Sequence, residues 1–157
     1  MQKITPFLCF DHQAEEAMNF YVGIFKNSKV ISVDHYGKDA PMPEGTVLTA
    51  SFELFGQRFV ALNAGPMFQF TPAVSFMVEC EDQAEVDYYW SKLSADPQAE
   101  ACGWLKDKFG VSWQIAPMQW GQLITDADPA KAGRVMQAMM QMKKIDIAAL
   151  QRAADAA

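Results

Sequence analysis

The most reactive side chains in this sequence are the thiols of Cys9, Cys80 and Cys102. Their number is odd and no two of them have CxxC or zinc-ribbon spacing, so the sequence predicts neither a disulfide framework nor a structural zinc site. Cys9 and Cys80 lie at the ends of two apolar, strand-like segments, where a small buried residue is expected. Cys102 precedes Gly103 and is the cysteine to test for reactivity.

The two histidines, His12 and His35, are candidates for proton transfer or metal binding. His12 comes directly after Asp11, the expected cap of the first helix, and His35 lies in a strand before a long loop. We therefore expect a solvated or structural histidine at both positions.

Other catalytic arrangements are weakly represented. Lys106 and Asp107 are adjacent and could exchange a proton, but a carboxylate in a turn beside a solvated lysine is the favoured interpretation. The sequence has no GxSxG elbow, no P-loop and no GxGxxG fingerprint, so serine hydrolase, nucleotide-phosphate and Rossmann cofactor chemistry lack their mechanical parts.

Composition limits the class of protein. A chain of 157 residues that is 50% hydrophobic can bury a core within one domain. Its net charge of -6 argues against a nucleic-acid partner, which would require clustered Lys and Arg. We see no signal peptide and no apolar run near the roughly 20 residues of a membrane span, so we expect a cytoplasmic protein without a membrane partner.

An apolar strand that leads into an amphipathic helix occurs twice. The first helix is predicted after Asp11, which would cap it, and closes at Asn27; the second covers residues 83–93. Each is followed by strand-like pieces rather than by another helix. The sequence therefore predicts an α+β fold that consists of a duplicated module, with a cleft between its halves.

The boundaries follow from turn and cap residues. Strands are predicted at residues 4–10, 30–36, 47–54, 59–62, 74–78, 104–106 and 111–116, with hairpin turns at 55–57 and 107–110. Asp128 and Pro129 open a helix to residue 142, and a last helix starts at Asp146. The 129–142 helix has an apolar stripe that we expect to pack on the body or on a second subunit, formed by Val135, Met136, Met139, Met140 and Met142.

Several motifs occur in order along nearly the whole chain. They are PFLCFD (6–11), AMNFY (17–21), Phe25, GQRF (56–59), LNAGP (62–66), CGWLKD (102–107), GVSWQ (110–114) and MKKID (142–146). In these motifs the chain resembles the vicinal oxygen chelate superfamily of glyoxalase, bleomycin-resistance and extradiol dioxygenase proteins. Within it the chain resembles the PhnB-like group that carries a 3-demethylubiquinone-9 3-methyltransferase label.

The resemblance implies paired βαβββ modules whose sheets curl around a cavity for a divalent metal and a small oxygen-bearing substrate. It also implies a homodimer. We expect one glyoxalase-like domain over residues 1–157, with module one at about 1–66, module two at about 72–118 and a C-terminal helical extension at about 119–157.

The family's metal positions fall on Thr5, Asn63, Ala73 and Gln114, and related sequences often have His where Met67 stands. A divalent ion requires imidazole or carboxylate ligands, whereas hydroxyl and amide oxygens bind weakly and Ala contributes nothing. We therefore expect no metal and no other cofactor.

What remains is a cavity suited to a small, largely neutral organic ligand. Trp104 and Phe70 would lie on its faces, and polar atoms of Thr5, Asn63, Ser75 and Gln114 would bond its edge. Phe7 and Trp113 are expected to be core residues.

Two functions remain open. One is an enzyme or degenerate enzyme that catalyses a glyoxalase-like proton shift, a lyase step or a transferase step. The other is a non-catalytic protein that sequesters a ligand, as bleomycin-resistance proteins do. The methyltransferase label conflicts with the residues, since Asp11-His12-Gln13 stand where a typical S-adenosylmethionine enzyme has a glycine-rich loop.

Overall fold

The computed structural model describes residues 2–157, which form two compact units that meet in the chain at Gln69 and Phe70. The first unit contains β1 (Phe7–Phe10), α1 (Ala14–Ile24), β2 (Ser28–His35), β3 (Val47–Leu54) and β4 (Gln57–Asn63). The second contains β5 (Ser75–Cys80), α2 (Gln83–Leu93), a 3-10 turn (Pro97–Ala99), β6 (Trp104–Lys106), β7 (Ser112–Pro117), α3 (Trp120–Ile124), α4 (Pro129–Met140) and α5 (Ile147–Asp155). This confirms the predicted α+β class.

The first unit is a four-stranded sheet with α1 on one face. The strand order is β1-β4-β3-β2; β1 runs parallel to β4, and the other pairs are antiparallel. The core joins the helix to the sheet through a row of rings, in which Tyr21 stacks on Phe52 at 6.0 Å and Phe52 stacks on Phe59 at 5.6 Å. These rings explain why the apolar stripe of α1 faces the sheet.

The β3–β4 hairpin forms at the predicted turn. Phe55 and Gly56 both have positive φ, 48° and 80°, as the two central residues of a tight hairpin require. The first strand is shorter than predicted, because regular pairing begins at Phe7 rather than at Ile4.

The second unit has a three-stranded sheet with the order β5-β7-β6. β5 runs parallel to β7 and β6 is antiparallel to it, so this unit has one strand fewer than the expected βαβββ module. The side chains that face α2 are buried, among them Val78, Leu105, Trp113 and Ile115. The opposite face carries the half-buried Ser75, Gln114 and Trp104, and we call it the open face.

Helices α3, α4 and α5 form a small cluster after β7. Val135, Ile145, Leu150 and Ala154 are its buried centre. The predicted stripe of α4 is covered only in part, because Met136 and Met140 are 37% and 63% exposed. The five-residue α3 was not predicted, and none of its residues is fully buried.

Three of the four long helices start as their sequences predict. Asp82, Asp128 and Asp146 each accept a hydrogen bond from a backbone N–H in the first turn of α2, α4 and α5. The prediction for α1 is wrong: Asp11 does not cap it, Gln13 holds the cap position without a side-chain bond, and the helix ends at Ile24 rather than at Asn27. Within residues 2–157, none of the helices has both the length and the apolar character that a membrane crossing needs.

Candidate functional site

Two of the sequence motifs are hydrogen-bonded to each other in the second unit. The N–H groups of Cys102 and Gly103 donate to the carbonyls of Met142 and Lys143, each at 2.8 Å. Gly103 has φ +84°, and a Cβ there would lie 3.0 Å from the Ile115 carbonyl oxygen and 3.1 Å from Cγ1 of Ile145. Only glycine fits this crossing, which fixes the segment before α5 against the edge of the sheet.

Side chains of α2 hold the same segment from a second direction. Gln83 donates from Nε2 to the Ile145 carbonyl at 3.0 Å and accepts at Oε1 from the Ile147 N–H at 2.8 Å. Lys144 Nζ lies 2.7 Å from Asp87, and the bonds that Asp87 accepts from Lys144 and Gln83 lower the pKa of its carboxyl. The C-terminal helices are thereby anchored to the sheet and to α2.

A pocket of about 100 Å³ lies between β6, β7 and these helices. Trp104 and Gln114 line it from the sheet, Trp120 and Met139 line it from α3 and α4, and Cys102 lies at its edge. The side chains in the lining are apolar or aromatic apart from the Gln114 amide and the Cys102 thiol, and polar atoms form a substantial part of the pocket surface.

Gln114 is held in one orientation. It lies opposite Trp104 in the β6–β7 register, and its Nε2 donates to Oγ of Ser75 at 2.9 Å. Three of the predicted ligand-binding residues, Ser75, Trp104 and Gln114, thus lie together. Phe70 is a half-buried residue of the same unit whose Cβ lies 3.9 Å from where a Cβ of Gly110 would stand, and it does not line the pocket.

Asp107 has the structural role that was the favoured interpretation. Its Oδ1 accepts from the N–H groups of Phe109 and Val111 at 2.9 and 3.0 Å, and its Oδ2 accepts from Nε1 of Trp113 at 2.9 Å. Trp113 is only 3% exposed, as expected of a core residue. Phe7, by contrast, is 59% exposed, so its expected place in the core is wrong for this unit.

Cys80 is a structural thiol, as the sequence predicts. Burial, together with the nearby carboxylates of Glu85 and Asp82, raises its pKa to about 12, which keeps the thiol protonated. Cys102 is half-buried and has φ 53°.

In the first unit, Asn63 connects three segments. Its Oδ1 accepts from the N–H of Ala14, the first residue of α1, at 2.9 Å, and its Nδ2 donates to the Val47 carbonyl at 3.0 Å. Its own carbonyl accepts from the Tyr36 hydroxyl at 2.6 Å. Asn63 is 6% exposed and supplies the bond to α1 that Asp11 was expected to make. Thr5 is half-buried and precedes β1.

A second pocket, of about 410 Å³, lies beside Asn63 in this unit. It is lined by His12, Glu15, His35, Met42, Gly45, Thr46, Val47 and Asn63. Both histidines are exposed, as expected, but sequence reasoning missed that they share a pocket. The signal that could have shown this is the strand topology. β1, β2 and β4 run in the same direction, so His12, His35 and Asn63, which lie at their carboxyl ends, come together at one end of the sheet.

The residues at the four metal positions do not fit a divalent ion. Asn63 uses both side-chain atoms in the bonds to Ala14 and Val47, and Gln114 is bonded to Ser75. Thr5 and Ala73 supply one hydroxyl and one methyl group. Among the described residues 2–157, no three or more His, Cys, Asp or Glu side chains are grouped so that they could hold a metal.

Comparisons with known proteins agree with the fold. The model of the 3-demethylubiquinone-9 3-methyltransferase family matches residues 2–116. A PhnB protein from Bacillus cereus that carries this label is 42% identical, with 74% of this chain and 99% of that chain covered and a TM-score of 0.63.

Protein PA1353 from Pseudomonas aeruginosa is 20% identical, with 74% of this chain and 98% of that chain covered and a TM-score of 0.59. A glyoxalase/bleomycin resistance protein/dioxygenase from Alicyclobacillus acidocaldarius is 11% identical, covers 73% of this chain and 89% of its own, and has a TM-score of 0.45. No curated protein sequence matches. The chain belongs to the 3-demethylubiquinone-9 3-methyltransferase family, to which the PhnB protein from Bacillus cereus is also assigned by its label.

Proposed function

We propose that this protein binds a small, largely neutral organic molecule on the open face of the second unit, without a divalent metal. The observation that carries the proposal is the Gln114 amide, which Ser75 orients beside Trp104 in a pocket whose other side chains are mainly apolar. Because Nε2 is engaged with Ser75, Oε1 is left to accept a hydrogen bond from a ligand. An apolar pocket with a few directed polar atoms is typical of small-molecule sites.

Pocket size and charge narrow the ligand class. No charged side chain lines the pocket, so a buried ionic group would have no counter-charge and would lose hydration. A dry cavity of about 150 Å³ accommodates benzene, so the 100 Å³ here encloses a short apolar chain or part of a ring, with the rest of the ligand outside the pocket. We infer a ligand with an aromatic or aliphatic group and one hydrogen-bond donor.

The wider predicted site also includes Phe70 of the second unit and Thr5 and Asn63 of the first unit. The part of these three residues in ligand binding stays a prediction. The proposal rests on Ser75, Trp104 and Gln114, whose contacts lie within one unit.

Binding without catalysis is the better supported of the two functions. Asp107, the carboxylate of the candidate proton-transfer pair with Lys106, already accepts three hydrogen bonds, from Phe109, Val111 and Trp113. The methyltransferase label of the family is not matched by either sheet, since neither is the parallel, doubly wound sheet of a typical S-adenosylmethionine enzyme. We therefore infer a ligand-sequestering role.

We also propose a homodimer in a reducing, cytoplasmic environment. The exposed Met136 and Met140 on α4 support an apolar contact with a second copy, and all three cysteines are unpaired thiols. Sedimentation at micromolar concentration tests the dimer; a monomer there would contradict it.

Ligand binding is tested by thermal shift with a library of small neutral aromatic alcohols and amides. For each compound that stabilises the wild type, Gln114→Leu should weaken binding by up to a few kcal/mol, because the ligand donor loses its acceptor. Gln98→Leu makes the same change at an exposed position and should bind normally. Equal affinity for wild type and Gln114→Leu would refute this placement of the site.

The absence of a metal is tested separately. After refolding with excess nickel, zinc or manganese and desalting, elemental analysis should find well under one ion per chain. One tightly held ion per chain that is lost on mutating Asn63 or Gln114 would contradict the proposal.

A further inference from the structure

The pocket of the first unit contains both histidines of the chain, and no role has yet been assigned to it. His12 follows β1, His35 ends β2 and Asn63 ends β4, so the three residues are brought to one edge of the sheet by strand direction. The pocket measures about 410 Å³, within the range of small-molecule sites.

The walls of this pocket are held by internal bonds. The Asn63 side chain ties the start of α1, which carries Glu15, to the start of β3 at Val47. The Tyr36 hydroxyl ties the β2–β3 loop to the Asn63 carbonyl. Thr46 donates from Oγ1 to the Pro43 carbonyl at 2.7 Å, which closes the loop on itself. A site whose walls are already positioned loses less free energy to ordering when a ligand binds.

The charge of the lining determines which ligand it suits. Glu15 is the one carboxylate in the lining, and neither Lys nor Arg contributes to it. Asp11, 3.5 Å from Nδ1 of His12, adds a second negative charge beside the pocket. Neutral imidazoles can accept hydrogen bonds from an ammonium group, and Met42 and Val47 offer apolar contact to its carbon substituent.

We propose that this pocket is a second binding site, specific for a small organic cation such as a primary amine with an apolar substituent. Glu15 pairs with the ammonium group and His12 and His35 bond its remaining hydrogens. Its lining lies wholly within the first unit, and the proposal does not rest on a ligand at Gln114.

The experiment titrates benzylammonium into the protein and follows the imidazole Hε1 resonances by NMR at neutral pH. Since the chain has two histidines, His12→Gln and His35→Gln assign the two signals. Both signals should shift with one saturating curve, whereas benzyl alcohol and benzoate, which lack the positive charge, should leave them in place.

Charge variants test the role of Glu15. Glu15→Gln should weaken benzylammonium by about two- to fivefold, as expected for the loss of an exposed ion pair. Glu16→Gln removes the same charge from the next residue, which does not line the pocket, and should bind as the wild type does.

The proposal is overturned if benzylammonium shifts neither signal or only one of them, if benzoate or benzyl alcohol binds as tightly, or if Glu15→Gln and Glu16→Gln weaken binding equally. Equal weakening would mean that the amine responds to the general negative charge of the protein rather than to this pocket.

Discussion

Each unit has a parallel strand pair beside a helix, but the two units differ in which face of the sheet carries the polar side chain. Asn63 lies on the helix side of its sheet, and Gln114 lies on the face away from the helix. Asn63 pairs with Phe10, the last residue of β1, whereas the last residue of β5, Cys80, pairs with Pro117. Gln114 lies three residues before Pro117. Asn63 and Pro117 are therefore equivalent positions, and both point to the helix side of their sheets. Successive side chains alternate between the two faces of a strand, so Gln114, an odd number of residues before Pro117, points to the open face.

This difference separates stability from binding. In the first unit the amide of Asn63 joins the sheet to α1, and the pocket forms at the sheet edge. In the second unit α2 is capped by its own Asp82, and Gln114, whose side chain lies on the other face, lines the pocket beside the C-terminal helices. Two residues that look equivalent in the sequence therefore have different roles.

The largest change in stability is expected when a tryptophan is replaced on the buried face of the second sheet rather than on its open face. Trp113→Ala should destabilise the protein by about 3–5 kcal/mol, because a buried ring is lost and Asp107 loses the Nε1 hydrogen bond. Trp104→Ala is the matched change on the open face and should cost clearly less. Urea unfolding measures both; equal losses would mean that both faces carry stability.

A smaller effect distinguishes the two amides. Asn63→Ala should cost about 1–3 kcal/mol, since the Ala14 N–H and the Val47 carbonyl lose a buried partner. Gln114→Leu should cost less, about 1 kcal/mol at most, since it removes one half-buried hydrogen bond, to Ser75. Chemical unfolding of both variants checks this. If Gln114→Leu were the more destabilising of the two, the contrast between the units would be wrong.

The smallest effect concerns the tether between α2 and the C-terminal helices. Lys144 and Gln83 hold the pKa of Asp87 below its usual value of 3.8, so the charged carboxylate favours the folded state. The stabilisation is therefore fully present above about pH 3.8, the ordinary pKa of the group, and is lost as the pH falls through the lowered pKa of the folded state. Asp87→Asn should be slightly less stable than wild type at pH 7 and equally stable once the carboxyl is protonated. The difference in melting temperature across that pH range measures it, with Asp155→Asn as control.

The sequence by itself determined the local elements with strong end signals. The bounds of α2, β3 and β6 were predicted as the structure has them, and the starts of α4 and α5 follow from Asp128 and Asp146. These signals act within a few residues, so they do not depend on the rest of the fold. The motifs likewise sufficed for the family, which the family model and the Bacillus cereus protein show.

Tertiary structure alone decided which face each polar side chain occupies and which residues share a pocket. The cap of α1 comes from Asn63, far along the chain, so no local pattern could predict it. The first sheet has four strands and the second has three, a difference that depends on which strands pair. His12 and His35 line the same pocket because of the directions in which β1 and β2 run. Such features depend on strand register, because the register decides which face each side chain occupies and which residues become neighbours. Register is fixed only when distant parts of the chain pair.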